Sequence, residues 1–178
     1  MADFMMYLID AIIRHGPVVR EFRLAPEGGA PLPPWQPGAH VELAFTSRAG
    51  ARHRNAYSVV GEEGGMLRIA VQREEGGRGG SRVLHDEFEP GMALEVSLPL
   101  NGFTLHPGST RTVLIAGGIG ITPMLPMARS RRPAPATNCT TWRAIARGWC
   151  WPPIGRPSAR TACAPMPPQA KGAPTWAG

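Results

Sequence analysis

The acidic residues of this chain stop long before the chain does, and that limits where it can fold. All 13 Asp and Glu lie in residues 1–128, beside 11 Arg, so this stretch carries −2. Residues 129–178 hold seven Arg, one Lys and no acid, which makes +8 and accounts for the net +6. The same tail carries nine Pro, four of the five Trp and all three Cys, and no His. Proline every few residues, with no apolar period between, interrupts both helix and strand ladders and predicts disorder. The fold is therefore expected from the first part of the chain. The sequence pI of 10.2 belongs to the tail and is not the footprint of a nucleic-acid surface. With 178 residues, 43% of them apolar, there is enough chain to bury one core. No stretch reaches the roughly 18 apolar residues of a membrane span. The opening MADFMMYLIDAIIRHG has neither a basic n-region nor a small-residue cleavage site, so a cytoplasmic protein without a secretory signal is expected.

Up to residue 106 the pattern is one of short strands between turn residues. Strands are predicted over 5–13, 18–24, 40–45, 57–60, 66–72 and 94–98, with His15-Gly16-Pro17 as a turn and 25–37 as a Gly/Pro-rich loop. Such spacing favours a small β-barrel or sandwich. One helix interrupts it, with Ser81 as N-cap, Val83, Leu84 and Phe88 on one face, and Pro90-Gly91 as its end. After residue 108 the pattern changes. TVLIA at 112–116 reads as a buried parallel strand, Gly117-Gly118-Ile119-Gly120 as a turn, and Thr122-Pro123 as the start of a helix. Strand, glycine turn and helix together open a nucleotide-binding α/β unit.

Two clusters carry candidate chemistry. In His53-Arg54-Asn55-Ala56-Tyr57-Ser58, an Arg fork suits a phosphate, a Tyr ring can lie on a flat heterocycle, and a Ser can hydrogen-bond a ring nitrogen. In Gly76-Gly77-Arg78-Gly79-Gly80-Ser81, small residues let the backbone approach an anion at a helix start. Taken singly, the Arg reads as a solvated edge charge and the Gly run as a turn. The five His (15, 40, 53, 85, 106) show no metal-ligand spacing, and no metal site is expected.

The order of the pieces says more. WQPGAH (35–40), RNAYS (54–58), GRGGS (77–81), PLNGF (99–103) and AGGIGITP (116–123) together resemble the ferredoxin–NADP reductase superfamily, nearest its phthalate dioxygenase reductase and vanillate demethylase reductase branch. The resemblance implies a mainly β fold: a Greek-key flavin-binding barrel with one helix over 1–106. The first βα unit of an incomplete α/β NAD-binding domain follows over 107–130, and a disordered or non-native tail over 131–178. It implies an NADH-dependent flavoprotein reductase carrying FMN, with FAD as the alternative, that passes electrons to an iron–sulfur centre and a partner terminal oxygenase. Carried over by position, Arg54 would hold the flavin phosphate, Tyr57 would stack on the isoalloxazine, and Ser58 would meet its N5 edge. Gly79, Gly80 and Ser81 would bind phosphate, and Gly117, Gly118, Gly120 and Thr122 would line the nicotinamide and pyrophosphate path. The superfamily places Arg two positions before Tyr. Here the interval is three, which leaves His53 and Asn55 as further phosphate ligands. No catalytic acid or nucleophile is required, because the flavin is the reactive group.

Cys139, Cys150 and Cys163 match neither a plant-type [2Fe–2S] motif nor a zinc site, so no cluster is expected in this chain. No second βα unit follows residue 129. Back-translated with GC-rich codons and shifted by two nucleotides, residues 136–153 permit DELHYLARDRARLVLAA, which resembles the missing strand and helix start. The expectation is thus a truncated reductase with a frameshifted tail and impaired turnover. A flavin-binding module without hydride transfer, or a non-functional frameshift product, are the alternatives. The 117–129 segment, lacking strands to pair with, is expected to be poorly supported.

Overall fold

The computed structural model describes residues 3–106, 112 and 114–130. The readings that concern the tail, its cysteines and its reading frame lie outside the described residues.

Six strands form: β1 (Phe4–Arg14), β2 (Val19–Pro26), β3 (His40–Thr46), β4 (Arg52–Glu63), β5 (Met66–Gln72) and β6 (Ala93–Ser97). They close into a barrel in the order β1-β2-β5-β4-β3-β6. Every pairing is antiparallel. β3, β4 and β5 follow one another as neighbours, and β6 returns beside β3, which is the Greek-key arrangement. Period-two alternation fills the interior: Val41, Leu43 and Phe45 of β3 join Phe22 and Leu24 of β2, Leu67, Ile69 and Val71 of β5, and Val96 of β6 in one core. Leu84 and Phe88, on and just after helix α1 (Gly80–Glu87), are buried in that core too. Among the described residues no helix is long and apolar enough to cross a membrane.

Three local expectations change. β4 begins at Arg52 rather than at 57, because Arg52 to Ala56 alternate between exposed and half-buried positions and so fit a strand despite their polarity. α1 is capped by Gly79, at φ 91, not by Ser81. Glycine enters this left-handed conformation without steric cost, so the helix starts earlier along the chain than a serine cap at 81 would allow. The Ser81 hydroxyl instead accepts the Glu74 N–H at 3.0 Å. Finally, 114–116 is not a strand, and Ile115 is 82% exposed. A parallel strand needs a hydrogen-bonded neighbour, and none of the described strands pairs with it.

The segment 118–130 is nevertheless packed on the barrel. A 3-10 turn (Gly118–Ile121) leads into helix α2 (Met124–Ser130). Ile121 and Leu125 are buried against Val19, Val60 and Ala70 on the outside of the barrel. The expectation of poor support is corrected here, because the segment finds its apolar partner on the barrel rather than in a second sheet. Beside this patch lies Glu21, fully buried on β2, which accepts hydrogen bonds from Arg68 Nε at 2.6 Å and His15 Nε2 at 2.9 Å. Burial pushes the Glu21 carboxyl up, but Arg68 and His15 outweigh it and hold it below the usual carboxylate range.

Candidate functional site

β4 changes partner partway along. Residues 52–58 pair with β3, whereas Val59 to Glu63 pair with β5. The second edge of 52–58 is therefore left without a strand among the described residues. The start of α1 approaches it instead. A Cβ built on Gly80 would lie 2.2 Å from Asn55 Oδ1, and one on Gly79 would lie 3.7 Å from His53 Cε1. The two sequence clusters around 54–58 and 79–81 are thus neighbours in space, and Gly80 is close enough to Asn55 that a methyl group there would force the Asn55 amide to move.

Strand alternation sorts the residues. His53, Asn55 and Tyr57 stand opposite the inward-facing Phe45, Leu43 and Val41, so they share the face turned toward α1 and the core. Arg54, Ala56 and Ser58 take the outer face, opposite Ala44, Glu42 and His40. Arg54 is engaged there: its guanidinium donates to Glu42 Oε2, through Nε at 3.1 Å and through a terminal nitrogen, and lies 5.2 Å from the centre of the Phe4 ring. The structure brings Gly80 up to Asn55 and Gly79 up to His53, on the strand face that Tyr57 shares, and sets Arg54 on the opposite face.

Tyr57 packs against the core, with its hydroxyl buried and without a hydrogen-bond partner among the described residues. Burial pushes its pKa up to about 12. A buried phenol with no partner is costly, by about 1–3 kcal/mol, unless something else meets it. Ser58 stands across from His40, whose main chain exchanges hydrogen bonds with Leu100 at 2.9 and 2.8 Å. Gly38 is pressed from both sides: a Cβ there would lie 1.7 Å from the Phe103 carbonyl oxygen and 2.6 Å from Met127 Cε, and its φ is +96. The motifs at 35–40, 54–58 and 99–103 thereby meet around one end of β3, and α2 touches them through Met127.

Among the described residues nothing lies within 4 Å of a Cβ on Gly117, Gly118 or Gly120, and Gly118 is left-handed at φ +57. Thr122, 5% exposed, turns its hydroxyl back to the Ile119 carbonyl at 2.9 Å. The segment is tied to β4 by a residue that motif reading passes over: Arg129 Nη1 donates to the Val60 carbonyl at 3.0 Å. Among the described residues no group of three His, Cys, Asp or Glu is placed to hold a metal. A glycine cradle beside an amide and an unpartnered phenol instead suits a flat aromatic molecule with an anionic tail.

No family model matches the chain. Individual proteins do. Phthalate dioxygenase reductase of Burkholderia cepacia is 44% identical over 111 residues, covering 62% of this chain and 34% of that protein. Vanillate O-demethylase oxidoreductase of Acinetobacter baylyi (strain ATCC 33305 / BD413 / ADP1) is 35% identical over 124 residues, covering 70% of this chain and 38% of that protein. A solved structure of phthalate dioxygenase reductase, described as modular for electron transfer from pyridine nucleotides to [2Fe-2S], superposes with a TM-score of 0.64 at 40% identity, covering 71% of this chain and 39% of that one. The chain is homologous to the N-terminal part of this reductase family. Its barrel is that of the ferredoxin reductase-like fold, and its relatives are oxidoreductases. The chain spans a little over a third of the length of the relatives it matches.

Proposed function

We propose that this chain holds a flavin phosphate between β4 and the start of α1, and that it acts as the flavin end of an NADH-dependent oxygenase reductase. The supporting observation is the approach of Gly80 to Asn55 and of Gly79 to His53, on the face of β4 that Tyr57 shares. The residues fit such a group on two counts. A Cβ would fill the Gly80 cradle, and the Tyr57 hydroxyl is buried without a partner among the described residues. The relatives of the chain are flavin- and NAD(H)-binding reductases.

In this reading residues 1–106 are the flavin unit and 107–130 begin the nucleotide unit. The flavin, when bound, takes up hydride and gives out single electrons. Tyr57 supplies a ring for it to lie against and excludes water from that face. The Gly79 and Gly80 backbone, left bare of side chains, receives the phosphate at the α1 N-terminus, with Ser81 beside them. Asn55 and His53 are the β4 side chains that reach this end. Arg54 keeps its pair with Glu42 unless that pair is broken. Ser58, on the outer face with Arg54, would have to reach the N5 edge from the other side of the strand. Gly117, Gly118, Gly120 and Thr122 offer open backbone to the nicotinamide and pyrophosphate. FMN is favoured over FAD because the branch that this chain resembles typically carries FMN. The electron acceptor is an iron–sulfur centre serving a terminal oxygenase, and the location is the cytoplasm, where NADH is available.

A second reading, flavin binding without hydride transfer, is favoured by one observation: 114–116 pairs with no described strand. Absorbance of the FMN-loaded, desalted chain before and after NADH separates the two. Retained yellow colour that bleaches supports the reductase. Retained colour that persists supports the binding module. Loss of all colour on desalting contradicts both.

A further inference from the structure

β4 carries a register shift between Val59 and Gly61. Val59 pairs with Ile69 and Gly61 with Arg68, so Val60 is the extra residue of a bulge and falls outside the ladder. Its side chain is fully buried under Ile121 and Leu125. A buried carbonyl left out of a ladder needs a donor from elsewhere. Arg129, at the end of α2, provides it at 3.0 Å. The guanidinium can enter because the next residue has no side chain: a Cβ on Gly61, at φ +155, would lie 3.1 Å from Arg129 Nη1. Bulge, glycine and arginine interlock at the corner where β4 passes from β3 to β5.

Val60 is two residues beyond Ser58 on the same strand. The donor, Arg129, follows the glycine turn by less than three turns of helix, and the intervening Ile121 and Leu125 are buried against the barrel. We propose that Arg129 is a positioning residue: by completing the Val60 carbonyl it fixes the turn at 117–120 relative to the part of β4 that bears Tyr57 and Ser58. Its relevance to hydride transfer rests on the reading that this turn lines the nicotinamide path. The latch itself does not depend on that reading. Charge tunes it as well. Burial most of all, and then Arg68, disfavour the Arg129 charge in this place, while Glu21 and Glu63 favour it.

The test compares Arg129→Met and Arg129→Lys with the parent by amide hydrogen exchange. The reporters are the Gly120 and Thr122 N–H groups, which close the 3-10 turn on Gly117 and Ile119 at 3.2 and 3.0 Å. Loss of one hydrogen bond to a charged donor predicts exchange about tenfold faster at these two amides in Arg129→Met. Arg129→Lys, which keeps a point donor, should fall between. The Val59 and His40 amides, bonded to Ala39 and Leu100 within the barrel, should not change. Unchanged Gly120 and Thr122 exchange overturns the latch. So does equal acceleration of the barrel amides, which would make Arg129 a general stabiliser. A second measurement follows NAD+, which cannot reduce flavin, by quenching of flavin emission in the FMN-loaded chain. Arg129→Met should weaken NAD+ several-fold while FMN affinity stays the same. If the parent itself does not bind NAD+, the nucleotide reading fails, and the exchange data still decide the latch.

Discussion

At the scale of single residues, the site depends on contacts too close to share. Gly80 has an ordinary backbone, so the cost of a methyl group there is steric and falls on Asn55 Oδ1 at 2.2 Å. Gly80→Ala is expected to weaken FMN at least tenfold in a fluorescence titration. Adding Asn55→Ala should recover much of the lost thermal stability, a coupling of about 1–3 kcal/mol. Recovery distinguishes a local collision from general damage. The same residues show what sequence could and could not convey. Arginine is the natural phosphate partner by chemistry, so Arg54 stands out. Which face it takes depends on register with β3, and that pairing is not written in the motif. Asn55, two positions before Tyr57, is legible by period two. Arg129 is not, because the carbonyl it serves is exposed by a bulge that no local pattern announces. Glu21 gives a pH prediction. Its carboxyl is held below the usual range, so its stabilisation is complete above the ordinary glutamate pKa of about 4.3 and is lost as pH falls through the lower folded value. Melting temperature should therefore drop on acidification below about pH 4. Glu21→Gln should lower it at neutral pH and flatten that acid limb. An acid limb of unchanged steepness in the variant contradicts the assignment.

At the scale of elements, α1 and β4 carry the site. Five of the six strands are legible to within two residues at each end, because alternating apolar residues and Gly or Pro punctuation agree there. β4 is only half legible, since its first half exposes arginines on the outer face and resembles a loop. α1 is legible in its apolar face but not in its cap: Gly79 takes a left-handed conformation that frees Ser81 to hold the Glu74 N–H. Ser81→Ala should thus loosen the 74–80 loop at a cost of about 1 kcal/mol, seen as faster exchange of the Glu74 amide. An equally protected Glu74 amide in the variant would remove that role. The 112–116 run shows the limit of apolar patterning. A strand is made by its neighbours, and with no partner among the described strands Ile115 is left exposed.

At the scale of the whole molecule, barrel and α2 segment share one apolar interface, with Leu125 1% exposed. Leu125→Ala should destabilise by about 2–3 kcal/mol, and the chain should still melt in one transition at a lower temperature. A segment that melts away first, leaving the barrel transition unmoved, contradicts that coupling. The two halves of the site, one on a strand and one at a helix start, are brought together by Greek-key closure, a long-range fact that motif order implies only through resemblance. The central claim is that these halves clasp one flavin phosphate. The measurement that reaches it most directly is the dissociation constant for FMN in the parent, Gly80→Ala and Tyr57→Ala. Tight, near-stoichiometric binding is expected in the parent, and a loss of at least tenfold in each variant with the barrel still folded. Parent-like affinity in both variants, or no affinity in the parent, would show that the flavin does not sit between β4 and α1.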